Sequence, residues 1–315
     1  MNTPAASGLT LEETSDLTRR VTRLSVGVAL VLTAVKAAAF IASGSVSMLA
    51  SLADSGLDVV AAGAAYFAVR YAIAPPDREH RYGHGKAEAF ASLLQAGLVF
   101  ASAALIGREA IARMIHPEPI AQQGWSMAVM AISVAMTGGL IFAQGQVLKT
   151  ANSVAVSGDR MHYIADLASN VLAFAGIGLS ALLSNPLPDT IGGLAVVALL
   201  VWGAISVFRA SSIELMDHEL DEGSRHRIAA LMREDPRVRD VHQMRTRASG
   251  PYIHVQMHAD LDPALSLVEA HSVMVAAERR VLDAFPTADI IIHPDPRGQA
   301  EPHGGAFPEA HEAVS

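Results

Sequence analysis

Two pairs of metal-ligating side chains stand inside long apolar stretches of this 315-residue chain: Asp54 with Asp58, and His162 with Asp166. Residues four apart share one helix face, so each pair presents two ligand atoms together. Carboxylate oxygens with an imidazole nitrogen make a donor set for a borderline dication, Zn²⁺ first. The sequence has 13 histidines and no cysteine, which excludes disulfides and thiolate sites. A carboxylate at the centre of a membrane helix costs about 2.5–3.5 kcal/mol on insertion scales, so three cost about 8–10 kcal/mol. A bound dication or a protonation equilibrium would offset that. The plainer alternative is a set of polar groups lining water or bonding between helices, and two such pairs at one depth argue against it.

Two further clusters carry ligand chemistry. Asp77, His80 and His84 follow one another at i, i+3 and i+7, which a tight loop or one helical turn could converge. Near the C-terminus, His242, His258, His271, His293 and Asp295 include several that could meet on a metal, although scattered surface histidines would look similar. His218, His226, His303 and His311 read as solvated, His116 as a loop residue, and Lys36 as a side chain that snorkels without a role.

The elements that must position these groups follow from hydropathy. Hydrophobic residues make up 51% of the chain and charged ones 17%, below the roughly 25% of soluble domains. Six segments reach the ~20 residues that cross a bilayer: 24–43, 46–73, 87–115, 125–148, 154–183 and 187–208. The first runs too long for a signal-peptide core and reads as a retained helix. Arg19, Arg20, Arg23, Arg78, Arg81, Lys86, Lys149, Arg160 and Arg209 gather on one side, so both termini are expected in the cytoplasm. At about 1.5 Å per residue, Asp54 falls level with His162 and Asp166. Three oxygens and one nitrogen could then close the tetrahedron that Zn²⁺ favours. A net charge of −8 without a long basic run argues against nucleic acid.

Residues 1–19 read as a cytoplasmic N-terminal segment, 20–211 as a six-helix transmembrane domain, 212–296 as a soluble cytoplasmic domain, and 297–315 as a disordered tail. The soluble part reads α-β-β-α-β: helices over 220–234 and 264–285, strands over 238–246 and 252–259, and a short buried strand over 288–293. On the second strand Ile253, Val255 and Met257 face the core, which turns His254, Gln256 and His258 the other way.

The runs Ala50-Ser-Leu-Ala-Asp54-Ser-Gly-Leu-Asp58, His80-Arg-Tyr-Gly-His84-Gly-Lys86-Ala-Glu88 and His162-Tyr-Ile-Ala-Asp166, with Arg245–Pro251 and Ile290–Pro296, resemble the cation diffusion facilitator family, above all its bacterial ferrous-iron/zinc efflux branch. The resemblance implies a homodimer in the bacterial plasma (inner) membrane that exports divalent metal in exchange for protons, with a metallochaperone-like α+β cytoplasmic domain. It implies a transport site at Asp54, Asp58, His162 and Asp166, and a loop site at Asp77, His80 and His84. It further implies a cytoplasmic binuclear site at His242, His258, His271, His293 and Asp295, and a dimer-holding charge pair of Lys86 with Asp217. Zn²⁺ would then serve as substrate and as regulatory ion, without an organic cofactor. Arg78 and Glu79 depart from the loop-site pattern and alter its charge.

Other classes fit less well. A metalloprotease needs His-Glu-x-x-His, and the nearest string, His218-Glu219-Leu-Asp-Glu222, lacks the second histidine. A passive channel needs weak sites in series, whereas strong ligands gather here at one level. Fe²⁺, Cd²⁺ and Mn²⁺ remain alternatives to Zn²⁺ at such a site.

Overall fold

The computed structural model describes residues 11–43, 46–115, 124–151, 153–183 and 187–298. The expected loops at 44–45, 116–123 and 184–186, the tail beyond 298, and His116, His303 and His311 lie outside the described residues. Two compact units divide near residue 212.

The first unit holds α1 (Leu11–Ser43), α2 (Val46–Ala72), α3 (Ala87–Ile115), α4 (Gly124–Val147), α5 (Val154–Leu183) and α6 (Leu187–Leu215), whose last residues pass into the second unit. Four of them, α1, α2, α3 and α6, are long and apolar enough among the described residues to cross a membrane, and α4 adds a shorter apolar stretch, Ala131–Val147. Helix α1 begins well before the apolar stretch, so Arg19, Arg20 and Arg23 lie within it.

This unit buries polar side chains beside apolar clusters and exposes large apolar ones. Ser25, Ser55, Asp58, Glu88, Ser92, Gln95, Gln144, Asp159 and His162 are buried, while Leu30, Phe67, Phe90, Phe142 and Trp202 are exposed. Water would not tolerate that surface, but lipid matches it. Helix α5 packs against α2, α3 and α4, and small residues permit the approach. A Cβ at Gly158 would meet the Ser92 hydroxyl at 2.6 Å and also the Gln95 amide oxygen. Gly158→Ala is therefore expected to cost about 1–3 kcal/mol through overpacking, read as a lower unfolding temperature of the full chain in detergent.

The second unit has α7 (Glu222–Arg233), β1 (Val238–Ser249), β2 (Tyr252–Leu261), α8 (Leu267–Ala284) and β3 (Ala288–Pro296), in the expected α-β-β-α-β order. Asp221 caps α7 by accepting from the Ser224 N–H, and Ser266 with Glu269 forms a capping box at α8, which sets both helix starts. The sheet order is β1-β2-β3, with β1–β2 antiparallel and β2–β3 parallel. Ile253, Val255, Met257, Ala259 and Leu261 pack with Ile228, Met232, Val273 and Val281 into one core. Strand β3 corrects the expectation of a buried strand: it is an edge strand of alternating half-buried and exposed residues, with Ile291 56% exposed. It pairs on one side only.

Candidate metal centres

Helices α2 and α5 bring the Asp58 Oδ1 to 3.0 Å from the His162 Nε2, and the Asp166 Oδ2 stands 3.7 Å from the same nitrogen. One ligand atom from each of the three lies within 4.8 Å of the others. Asp58 and His162 are 6% and 4% exposed. The other ring nitrogen of His162, Nδ1, is buried without a hydrogen-bond partner among the described residues. Two carboxylates thus converge on one imidazole nitrogen in an apolar layer. Their mutual repulsion is relieved by a proton held within the group or by a dication in its place.

Asp54 is not part of this group. It is exposed, one turn before Asp58. Packing of α2 against α5 sets Asp58, one turn further along the helix, beside His162. Lys36 also departs from expectation, since its Nζ donates to the Ser55 hydroxyl at 2.6 Å instead of snorkelling to an interface.

A further acid on α5, Asp159, escaped the sequence reading. Asp159, fully buried, accepts from the Ser25 hydroxyl at 2.6 Å, the Gln144 amide at 2.7 Å and the Gln95 amide at 3.3 Å. It therefore ties α5 to α1, α4 and α3. Its signal was present: Asp159, His162 and Asp166 follow the i, i+3, i+7 pattern noticed at Asp77, and the same insertion cost applies.

The loop after α2 converges as expected. Asp77 Oδ2 lies 3.2 Å from His84 Nε2, and Asp77 Oδ1 lies 3.5 Å from His80 Nδ1. The backbone N–H groups of His80 and Glu79 donate to Asp77 Oδ1 at 2.6 and 2.8 Å. The His80 N–H, above all, holds the Asp77 carboxyl below the ordinary carboxylate range. Gly83, at φ +80°, turns the chain back so that His84 returns to the carboxylate.

In the second unit, strand register aligns three histidines across the sheet: His242 opposite His258, and His258 opposite His293. Asp295 collects them. Its carboxylate lies 2.8 Å from His258 Nδ1, 3.6 Å from His242 Nε2 and 3.3 Å from His293 Nε2. Asp260, paired with Asp295 in register, adds an oxygen 3.3 Å from His242 Nε2. The sequence reading missed Asp260, although its two-residue step from His258 puts both on one strand face. A β-bulge between His242 and Arg245, with Gln243 at φ +49°, sets this row. In a regular strand His242 would share a face with Met244. The extra residue lets Met244 enter the core while His242 turns to the opposite face. His271 is exposed on α8, outside the group of three. Helix α8 packs on the core face of the sheet, opposite His258, so the sheet stands between them. Asp217 accepts from Arg247 at 3.2 Å; Lys86, its expected partner, belongs to the first unit.

These features define a class: an integral membrane protein with buried carboxylate–imidazole chemistry, joined to a small α/β unit with a second such cluster. Residues 22–216 match the cation efflux transmembrane domain, and residues 220–297 match the cation efflux protein cytoplasmic domain. The chain belongs to the cation diffusion facilitator family of metal efflux transporters. It is 39% identical over 283 residues to the cation-efflux pump FieF of Shewanella oneidensis, which covers 89% of this chain and 94% of that protein. It is also 34% identical to FieF of Klebsiella pneumoniae, covering 81% and 84%, and 32% identical to protein p34 of Rickettsia rickettsii, covering 88% and 92%. Among solved structures, CzrB in its Zn form matches at 31% identity over 27% of this chain and 99% of that one, with a TM-score of 0.26. The metal-bound C-terminal domain of the CzcD transporter from Thermotoga maritima matches at 26% identity over 25% and 93%, with a TM-score of 0.24.

Proposed function

We propose that this protein exports a divalent transition metal from the bacterial cytoplasm across the inner membrane in exchange for protons, with Zn²⁺ the foremost substrate and Fe²⁺, Cd²⁺ and Mn²⁺ alternatives. All six helices cross the bilayer in this reading, and both termini face the cytoplasm. Residues 20–211 form the transport domain and 212–296 the regulatory one. The observation that carries it is the buried meeting of Asp58, His162 and Asp166. Metal needs the imidazole neutral and the carboxylates ionised, so each ion bound displaces protons and acid reverses the exchange. Asp54 completes the transport site from the adjoining turn when metal enters. Asp77, His80 and His84 hold a second ion at the loop.

The cluster of His242, His258, His293 and Asp295 holds regulatory Zn²⁺. His271 joins it from a second copy of the chain, because the sheet bars it within one protomer. Two copies form the working dimer, with Lys86 and Asp217 as its charge pair.

The test is metal-resolved uptake into proteoliposomes across an imposed pH gradient. Zn²⁺ flux should rise with the gradient, and His162→Gln should remove that dependence. A flux indifferent to the gradient in the unaltered protein would leave a passive divalent-cation channel and sink the exchange mechanism.

A further inference from the structure

We propose that a cavity between the start of α1 and the end of α2 is a binding site for a phosphate group. The cavity, of about 190 Å³, is lined by Arg19, Arg23, Tyr66 and Arg70, and so exceeds the ~30 Å³ share of one water several times over. Three of its four lining residues carry guanidinium groups and none carries a carboxylate. The Tyr66 hydroxyl shares the cavity with the Arg23 and Arg70 guanidinium groups and can itself donate to an anion. The Arg19 Nε is buried and has no acceptor among the described residues. Arg23 and Arg70 are exposed at the mouth of the cavity, whereas Arg20, on the neighbouring face of α1, is not part of the lining and lies 4.0 Å from Asp16.

Arg70 alone would be explained as a cation in the last turn of α2, where it complements the helix dipole. That account fails for Arg19 and Arg23, which come from another helix and add like charge around the same space. A buried donor left unmatched among like charges is a standing cost, and a phosphate removes both problems. The planar guanidinium fork fits phosphate oxygens two at a time. Location points the same way. Arg23 immediately precedes Leu24, where the apolar part of α1 begins, and Arg70 lies two residues from the end of α2. The cavity therefore sits at headgroup depth, where basic residues meet anionic lipid. Phosphate chemistry has two sources there, the phosphodiester of an anionic lipid and free inorganic phosphate.

The full chain should be reconstituted in nanodiscs of phosphatidylcholine alone, with added phosphatidylglycerol, or with inorganic phosphate in the buffer. Thermal unfolding and retained phosphatidylglycerol are then measured. Affinity should fall about fivefold per guanidinium removed, hence about 25-fold for Arg23→Gln with Arg70→Gln, while Arg20→Gln leaves it unchanged. If the double variant does not fold, Arg19→Gln alone carries the comparison. Protection by inorganic phosphate without phosphatidylglycerol makes the soluble anion the ligand and upholds the site. The proposal is overturned if neither anion stabilises the unaltered protein, or if Arg20→Gln weakens binding as much as the cavity variants.

Discussion

Asp58→Asn is expected to lower metal transport about 100- to 4,000-fold while the protein remains folded in the membrane. Its carboxylate stands 3.0 Å from His162 Nε2, and both residues are almost fully buried. Removing one partner of a buried charged pair costs about 3–5 kcal/mol, which corresponds to about two to three and a half powers of ten. Asparagine preserves the shape, so the loss reports charge and coordination rather than packing. Asp54→Asn should cost less, because that side chain is exposed and lies outside the group. Zn²⁺ uptake into proteoliposomes, with both variants beside the unaltered protein, decides the matter. Equal, mild losses at the two positions would show that the buried trio is not the site that grips the ion.

The second large effect is expected at Asp295. One carboxylate meets three imidazoles there, so Asp295→Asn removes the acceptor on which the row of histidines depends. Zn²⁺ at about one hundred times its dissociation constant would stabilise the folded full chain by about 2.7 kcal/mol per site. Most of that gain should vanish in Asp295→Asn, seen as a lost thermal shift and fewer ions bound per chain in calorimetry. Transport at low metal should persist, with only its rise at higher metal blunted. Complete loss of transport would make the cluster a structural element and not a regulatory one.

Much of this was legible in the residues. Apolar runs of bilayer length, the absence of cysteine, and carboxylates and imidazoles at helical spacing are local properties, so the sequence stated the membrane unit and its ligand chemistry directly. The α-β-β-α-β order of the second unit was equally local, since turns, caps and alternation announce each element.

Only the tertiary structure could decide what depends on the relation between elements. The packing of α2 against α5 selects Asp58 over Asp54 as the partner of His162. Asp159 gains its role only where α1, α3 and α4 close around it on α5. The bulge at Gln243 decides which face carries His242, and strand pairing brings it into line with residues 16 and 51 positions further along. Helix spacing and strand alternation are written into neighbouring residues. Depth offset, register and burial arise from packing between distant ones, and no window of sequence contains them.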